Sequence, residues 1–214
     1  MDTARGTLII ACGALAHEIA ALRKASGWTA IDVCCLPPEL HNRPERIAPA
    51  VREKIRAHRH EYRSIFVAYG DCGTGGRLDA VLEEEGVERL PGAHCYEFFA
   101  GGRAFAELAE AEPGTFYLTD FLTRHFERLV TRGLGIDRHP QLAQEYFRNY
   151  RRVVYLAQTP SAALLEQARQ IASRLGLAFE HRYTAFGELG ARLTAIVEGK
   201  SPSATADRTA AWQA

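Results

Sequence analysis

From Thr7 to Cys12 the chain runs Thr-Leu-Ile-Ile-Ala-Cys almost without a polar side chain, the pattern of a parallel strand buried on both faces. Gly13 breaks the run, and Leu15, Ile19 and Leu22 then fall at helical spacing between Ala14 and Ala25. A second strand is predicted from Trp28 to Leu36, stopped by Pro37-Pro38, and a polar helix over 45–59 carries the buried stripe Ile47, Val51 and Ile55. Ser64 to Gly70 repeats the first apolar run and leads into Asp71-Cys72-Gly73-Thr74-Gly75-Gly76, followed by a helix to about Glu85. The stretch Val87 to Phe98 reads as a weaker strand because it contains Pro91-Gly92; Cys95 falls within it, before a helix around Arg103 to Glu110. Thr115 to Leu118 and Val153 to Leu156 predict two more strands, each with a helix behind it, carrying Leu122, Phe126, Leu129 and Val130 in one case and Leu164, Ala168, Ile171 and Leu175 in the other. Arg138-His139-Pro140 separates these two units. Leu177 to Tyr183 predicts a final strand, and Leu189, Leu193 and Ile196 mark the last helix.

Strands alternating with amphipathic helices predict an α/β fold: a mainly parallel sheet of Rossmann-like βαβ units, with right-handed crossovers and helices on both faces. A chain of 214 residues is expected to form one α/β domain over residues 1–200. Residues 201–214 turn to Ser, Thr, Ala and Pro and read as a flexible tail, in which Trp212 has no assigned role. The 26 basic and 26 acidic side chains cancel, so nothing favours nucleic acid or an anionic membrane surface. No apolar run approaches the roughly 20 residues needed to span a bilayer, and the N-terminus has no signal-peptide core, so the protein is expected in the cytoplasm. There thiols stay reduced, and the five cysteines read as buried residues, metal ligands or reactive groups before disulfides.

In a parallel sheet, ligands bind beyond the carboxyl ends of the strands, where strand-to-helix loops converge. Cys12 and Cys72 follow equivalent strands and precede equivalent glycine turns, and Cys95 lies in the same layer, so the fold can bring three thiols together as metal ligands. A helix N-terminus would favour their thiolates. Tetrahedral zinc would set the sulfurs roughly 3.8 Å apart and a four-iron cluster roughly 6–7 Å apart. Against this stands the reading of buried cysteine as a small apolar filler. No Cys-x-x-Cys pair occurs, which disfavours a zinc ribbon or thioredoxin motif. Strand alternation puts Cys34 and Cys35 on opposite faces, as packing residues. His41, in Leu40-His41-Asn42-Arg43-Pro44, is a candidate fourth ligand or general acid/base, or else, with Asn42, a cap for the next helix. Glu18 in the first turn of the first helix can face the site, whereas His94 would alternate away. Gly13, Gly70 and Gly73 flank the thiols and would let the backbone approach a bound group. The glycine loop lacks the Lys-Ser/Thr ending of a P-loop and fails Gly-x-Gly-x-x-Gly, so nucleotide binding is disfavoured.

Taken together, Ala11-Cys12-Gly13-Ala14-Leu15, Leu40-His41-Asn42-x-Pro44, Tyr69-Gly70-x-Cys72-Gly73, Cys95 before a Phe-rich segment, and Pro113-Gly114-Thr115 resemble the DUF1638 family over roughly residues 7–197. Members look similar to proteins encoded near corrinoid-dependent methylamine and betaine methyltransferases. The resemblance therefore implies one-carbon metabolism, a small-molecule substrate, and a corrinoid protein or methyltransferase as partner. Three cysteines spread over successive βα units are also similar to the arrangement in quinolinate synthase and diphthamide-synthesis proteins, where it holds a four-iron cluster. Three functions stay open: a metal-thiolate enzyme or methyl-transfer accessory, with zinc or an iron–sulfur cluster; a metal-free thiol enzyme with Cys72 as nucleophile and His41 as base; and a non-catalytic partner of a methyltransferase system.

Overall fold

A computed structural model describes residues 4–199. In chain order these form β1 (Arg5–Cys12), α1 (Ala16–Ala25), β2 (Ile31–Leu36), α2 (Ile47–His58), β3 (Tyr62–Ala68), α3 (Arg77–Glu85), β4 (Glu88–Arg89), α4 (Cys95–Ala100) and α5 (Gly102–Ala111). There follow β5 (Thr115–Thr119), α6 (Asp120–Arg124), α7 (Gln141–Phe147), β6 (Arg152–Ala157), α8 (Ala162–Leu175), β7 (Ala178–Tyr183) and α9 (Leu189–Val197). All strand pairs are parallel, and the strands make two sheets, ordered β2-β1-β3-β4 and β5-β6-β7. The class is therefore the α/β architecture the alternation predicts, with its strands divided between two sheets. The chain separates into two compact units, one reaching Cys95 and resuming at Leu189, the other Tyr96–Glu188.

In the first unit β1 is central. Its register runs from Thr7 beside Ile31 to Cys12 beside Leu36, and from Arg5 beside Tyr62 to Ala11 beside Ala68. With a strand on each side, Leu8 to Cys12 are all buried, which explains the unbroken apolar run. The predicted stripe Ile47, Val51 and Ile55 is the buried face of α2, which packs on α3. Arg56 and Arg59 each reach the Glu85 carboxylate at 2.7 Å and clamp the two helices. On α9, a side chain added at Gly190 would meet Leu22 of α1 at 3.2 Å.

The second unit shows period-two burial across β6. Val153, Tyr155 and Ala157 face a core with Leu118, Phe126, Leu164, Ala168 and Ile171, while Val154 and Leu156 face Phe105 and Tyr117. Its loops are tied by a buried carboxylate that the apolar pattern did not flag. Asp120 is 1 % exposed and accepts hydrogen bonds from the Tyr155 hydroxyl at 2.7 Å and the Gln158 and Thr159 amides, both at 3.0 Å. The Thr159 hydroxyl is a further donor, and the Asp120 amide donates in turn to Gln158 Oε1 at 2.7 Å.

Several boundaries differ from the sequence reading. β2 begins at Ile31 and not Trp28, where β1 supplies its first partner, Thr7. The stretch 87–98 keeps only Glu88–Arg89 as strand, because Pro91 has no N–H to continue the ladder; Cys95 instead opens α4. The helix after β5 is split into α6 and a π-helical turn, Glu127–Arg132, and α7 follows Pro140 where no element was expected. The segment expected to be a tail, 201–214 with Trp212, lies outside the described residues. Among the described residues no helix is long and apolar enough to cross a membrane.

Because Asp120 satisfies several buried donors at once, Asp120→Ala should lower unfolding free energy by about 3 kcal/mol, and Tyr155→Phe by about 1 kcal/mol. Urea unfolding of the two variants checks this. A loss for Asp120→Ala no larger than for Tyr155→Phe would contradict the carboxylate's role as a tie.

Candidate metal centre

The order β2-β1-β3-β4 contains one reversal. From β1 the chain moves outward to β2, then returns past β1 to add β3 on its other side, so the switch point, where a parallel sheet of this kind binds its ligands, falls between β1 and β3. Cys12 is the last residue of β1, and Cys72 lies just beyond β3. Both thiols of the predicted pair therefore flank the switch point.

Cys12 does local work as well. Its sulfur accepts the Ala14 amide at 3.3 Å and caps the 3₁₀ turn Gly13–Leu15 that leads into α1. Cys72 sits at φ +50°, in the left-handed region that non-glycine residues seldom occupy. The surrounding loop imposes this conformation: the Asp71 amide donates to Gly92 O at 3.0 Å and the Cys72 amide to Ala93 O at 2.8 Å. Gly70 makes that approach possible, since a Cβ there would stand 3.1 Å from the His94 backbone. Zipping 70–72 onto 92–94 is what delivers Cys95, whose amide, with that of Gly70, is directed at the Cys72 sulfur. Cys95 thus reaches the site from the first residue of a helix and not from a strand.

Asp71 organises the rest of the glycine loop. Its carboxylate accepts from the Thr74 hydroxyl at 2.5 Å, the Gly76 amide at 3.0 Å and the Gly75 amide at 3.2 Å. Partial burial pushes its carboxyl pKa up, but these bonds and the Arg89 charge outweigh it and hold the group below the usual carboxylate range. The amides that could have cradled a phosphate are therefore engaged by an anion of the chain itself. Gly73, at φ +80°, packs near Pro44 of the His41 loop, and Gly13 fits against Leu36 and Pro38. The three flanking glycines thus serve backbone packing around the thiols.

His41 lies in a 3₁₀ turn, Pro38–Asn42, with Nδ1 3.0 Å from Pro38 O and 3.9 Å from the Cys12 sulfur. It does not cap a helix: neither the following turn nor α2 has a side-chain cap. Its ring stacks on Tyr69, with centroids 6.2 Å apart. Glu18 is buried in the first turn of α1 and lies within electrostatic reach of Cys95. His94 is exposed, yet its charge is felt by His41. Cys34 and Cys35 pair with Ile10 and Ala11 on alternate faces of β2. Cys35, though exposed, is felt by Cys12 and Tyr69. Tyr69 is the residue to which no role was assigned from sequence, although it stands in the Tyr-Gly-x-Cys-Gly motif; a large polar-tipped side chain at the end of a buried strand was the available signal.

The electrostatics correct one expectation. Helix N-termini and amides were expected to favour thiolates, but burial dominates: it pushes Cys12 up to about 12, Cys72 up to about 11, and Cys95 well above its ordinary range. Amides from Ala14 to Cys12 and from Gly70 and Cys95 to Cys72 act the other way without overcoming it. Cys12 is raised further by Cys72, and Cys95 by both, so the three thiols share one electrostatic environment. Burial also lowers the His41 pKa, partly offset by its bond to Pro38. Among the described residues, no three His, Cys, Asp or Glu side chains are grouped so as to hold a metal ion as they stand.

Fold and site together define an α/β protein of parallel βαβ units with two buried thiols, Cys12 and Cys72, flanking the switch point of its first sheet. Residues 35–193 match the family described as Protein of unknown function (DUF1638), and the chain belongs to that family. The matched segment includes Cys72, Cys95 and His41. No curated protein and no solved structure matches the chain.

Raised thiol pKa values carry a sign. The folded state resists ionisation, so their contribution is fully present below the unfolded value near 8.5 and is lost as pH rises toward 11–12. At pH 8 metal-free protein should alkylate Cys12 and Cys72 more than about 100-fold more slowly than free cysteine. Peptide-resolved alkylation checks this, and rates matching free cysteine would contradict the burial.

Proposed function

We propose that Cys12, Cys72 and Cys95 ligate a metal centre, an iron–sulfur cluster in preference to a single zinc, which serves a small-molecule reaction in one-carbon metabolism. The observation that supports this reading is the mutual electrostatic influence of three thiols carried by the end of β1, the loop after β3 and the start of α4, with backbone amides acting on the Cys12 and Cys72 sulfurs. Amides aimed at sulfur stabilise thiolate, which burial and mutual repulsion otherwise forbid; a bound cation removes that conflict. The donor chemistry fits a cysteine-ligated metal. The likeness of three cysteines spread over successive βα units to the arrangement in quinolinate synthase and diphthamide-synthesis proteins favours a four-iron cluster, with sulfurs roughly 6–7 Å apart, over a single zinc.

Three protein ligands leave a coordination position for substrate, and the bound metal would supply Lewis-acid activation there. Of this chain's own groups, His41 beside Cys12 and buried Glu18 near Cys95 are placed to hold or pass a proton. A corrinoid protein or methyltransferase as partner, and methyl transfer as the reaction, rest on the family resemblance. The metal-free thiol enzyme fares worse. That reading takes Cys72 as nucleophile and His41 as base, yet the thiol His41 approaches is Cys12, and burial raises both thiols and lowers His41, against the thiolate–imidazolium pair such a nucleophile needs.

Protein purified without oxygen should contain iron and acid-labile sulfide, both lost in Cys72→Ala and Cys95→Ala while circular dichroism stays unchanged. Zinc in place of iron, lost in the same variants, would overturn the cluster and keep the thiolate centre. Metal absent from the wild type, or fully retained in Cys72→Ala, would overturn the centre itself. For methyl transfer, metal-loaded wild type should demethylate methylcobalamin in the presence of a thiol acceptor and Cys72→Ala should not; equal product from both would contradict that role.

A further inference from the structure

Tyr69 follows β3 directly and is 1 % exposed. Its hydroxyl is buried and makes no well-aligned hydrogen bond among the described residues, although it lies close enough to the Cys12 sulfur for the two to interact. What surrounds it is the thiol cluster: Cys12 first, then Cys72 and Cys35, with the His41 ring stacked alongside. Burying a phenol without an acceptor destabilises a fold, and phenylalanine would fill the same space without that cost. The Cys12 sulfur in its reach is a neutral thiol, and a hydroxyl kept in such a place calls for an acceptor that strengthens in the working state. A thiol sulfur is a weak acceptor, whereas a metal-bound thiolate sulfur accepts strongly.

We propose that Tyr69 is a positioning residue for the metal centre, donating its O–H to the Cys12 sulfur once that sulfur is coordinated. This rests on the metal-centre reading above. The Ala14 amide already donates to Cys12 at 3.3 Å, while His41 Nδ1, 3.9 Å from that sulfur, donates to Pro38 O, so Tyr69 would be a second donor to the sulfur. Donors on ligating sulfurs stabilise the reduced state of an iron–sulfur cluster and orient the ligand.

The test compares wild type with Tyr69→Phe in two states. Metal-free, Tyr69→Phe should melt at the same temperature as wild type or higher, because a neutral thiol sulfur is too weak an acceptor to offset burial of the hydroxyl. After anaerobic reconstitution with ferrous iron and sulfide alone, both should hold equal iron, and the variant's cluster should have a more negative reduction potential and a shifted sulfur-to-iron absorption band. A lower melting temperature for the metal-free variant would show that the hydroxyl supports the fold, and would overturn the proposal. Equal potentials and spectra in the two loaded proteins would overturn it while leaving the metal centre intact. Failure of the wild type to assemble any cluster would overturn the cluster reading and, with it, this role.

Discussion

Parallel pairing of β1 with β2 on one side and β3 on the other is the constraint from which the site follows. It buries β1 on both faces, so the strand must be apolar up to its last residue, and there the polar-capable side chain is Cys12. It also places the switch point of the sheet between β1 and β3. Crossovers of one hand carry successive helices to opposite faces only where strand order reverses, and that reversal leaves a crevice at the carboxyl edge. The second sheet, β5-β6-β7, has no reversal, and its carboxyl edge is closed by hydrogen bonds converging on Asp120. The same strand-to-loop geometry thus yields an open edge in one sheet and a tied one in the other.

At the open edge, two demands conflict. Packing encloses Cys12, Cys72 and Cys95 and drives their thiols toward the neutral form, while amides from Ala14, Gly70 and Cys95 are arranged as for anions. Cys72 adds a left-handed backbone, held by bonds to Gly92 and Ala93. A purely structural cysteine requires none of this: any small apolar residue fills space, and glycine takes φ +50° more readily. A bound cation would reconcile enclosure with amide donors on sulfur, which is why we propose the metal reading over packing or free-thiol catalysis.

Much of this was legible in the residues and some was not. The α/β class followed from the alternation of apolar runs with helical stripes, because a parallel strand buried on both faces leaves a signature as plain as Leu8-Ile9-Ile10-Ala11. Cys12 and Cys72 could be placed at the carboxyl ends of strands because each follows such a run and precedes glycine, and those strands, β1 and β3, are neighbours. What was not legible was non-local. Cys95 joins through backbone bonds between 70–72 and 92–94, which no periodicity reports, and the Pro91-Gly92 that spoils the strand is part of the turn that makes the approach possible. The direction of the thiol pKa shifts was misjudged because helix termini are visible in a sequence and enclosure is not. The division into two sheets and the Asp120 tie likewise depend on pairings between distant segments, and Tyr69 is one tyrosine among eight until its neighbours are known.

X-ray absorption at the edge of the metal retained by anaerobically purified protein tests the central claim most directly, because it reads ligand identity without assuming a reaction. The account predicts a first shell dominated by sulfur at about 2.3 Å, with a metal–metal distance beyond it if the centre is a cluster, and loss of protein sulfur from that shell in Cys12→Ser. A first shell of oxygen and nitrogen only, or no bound metal to measure, would contradict it.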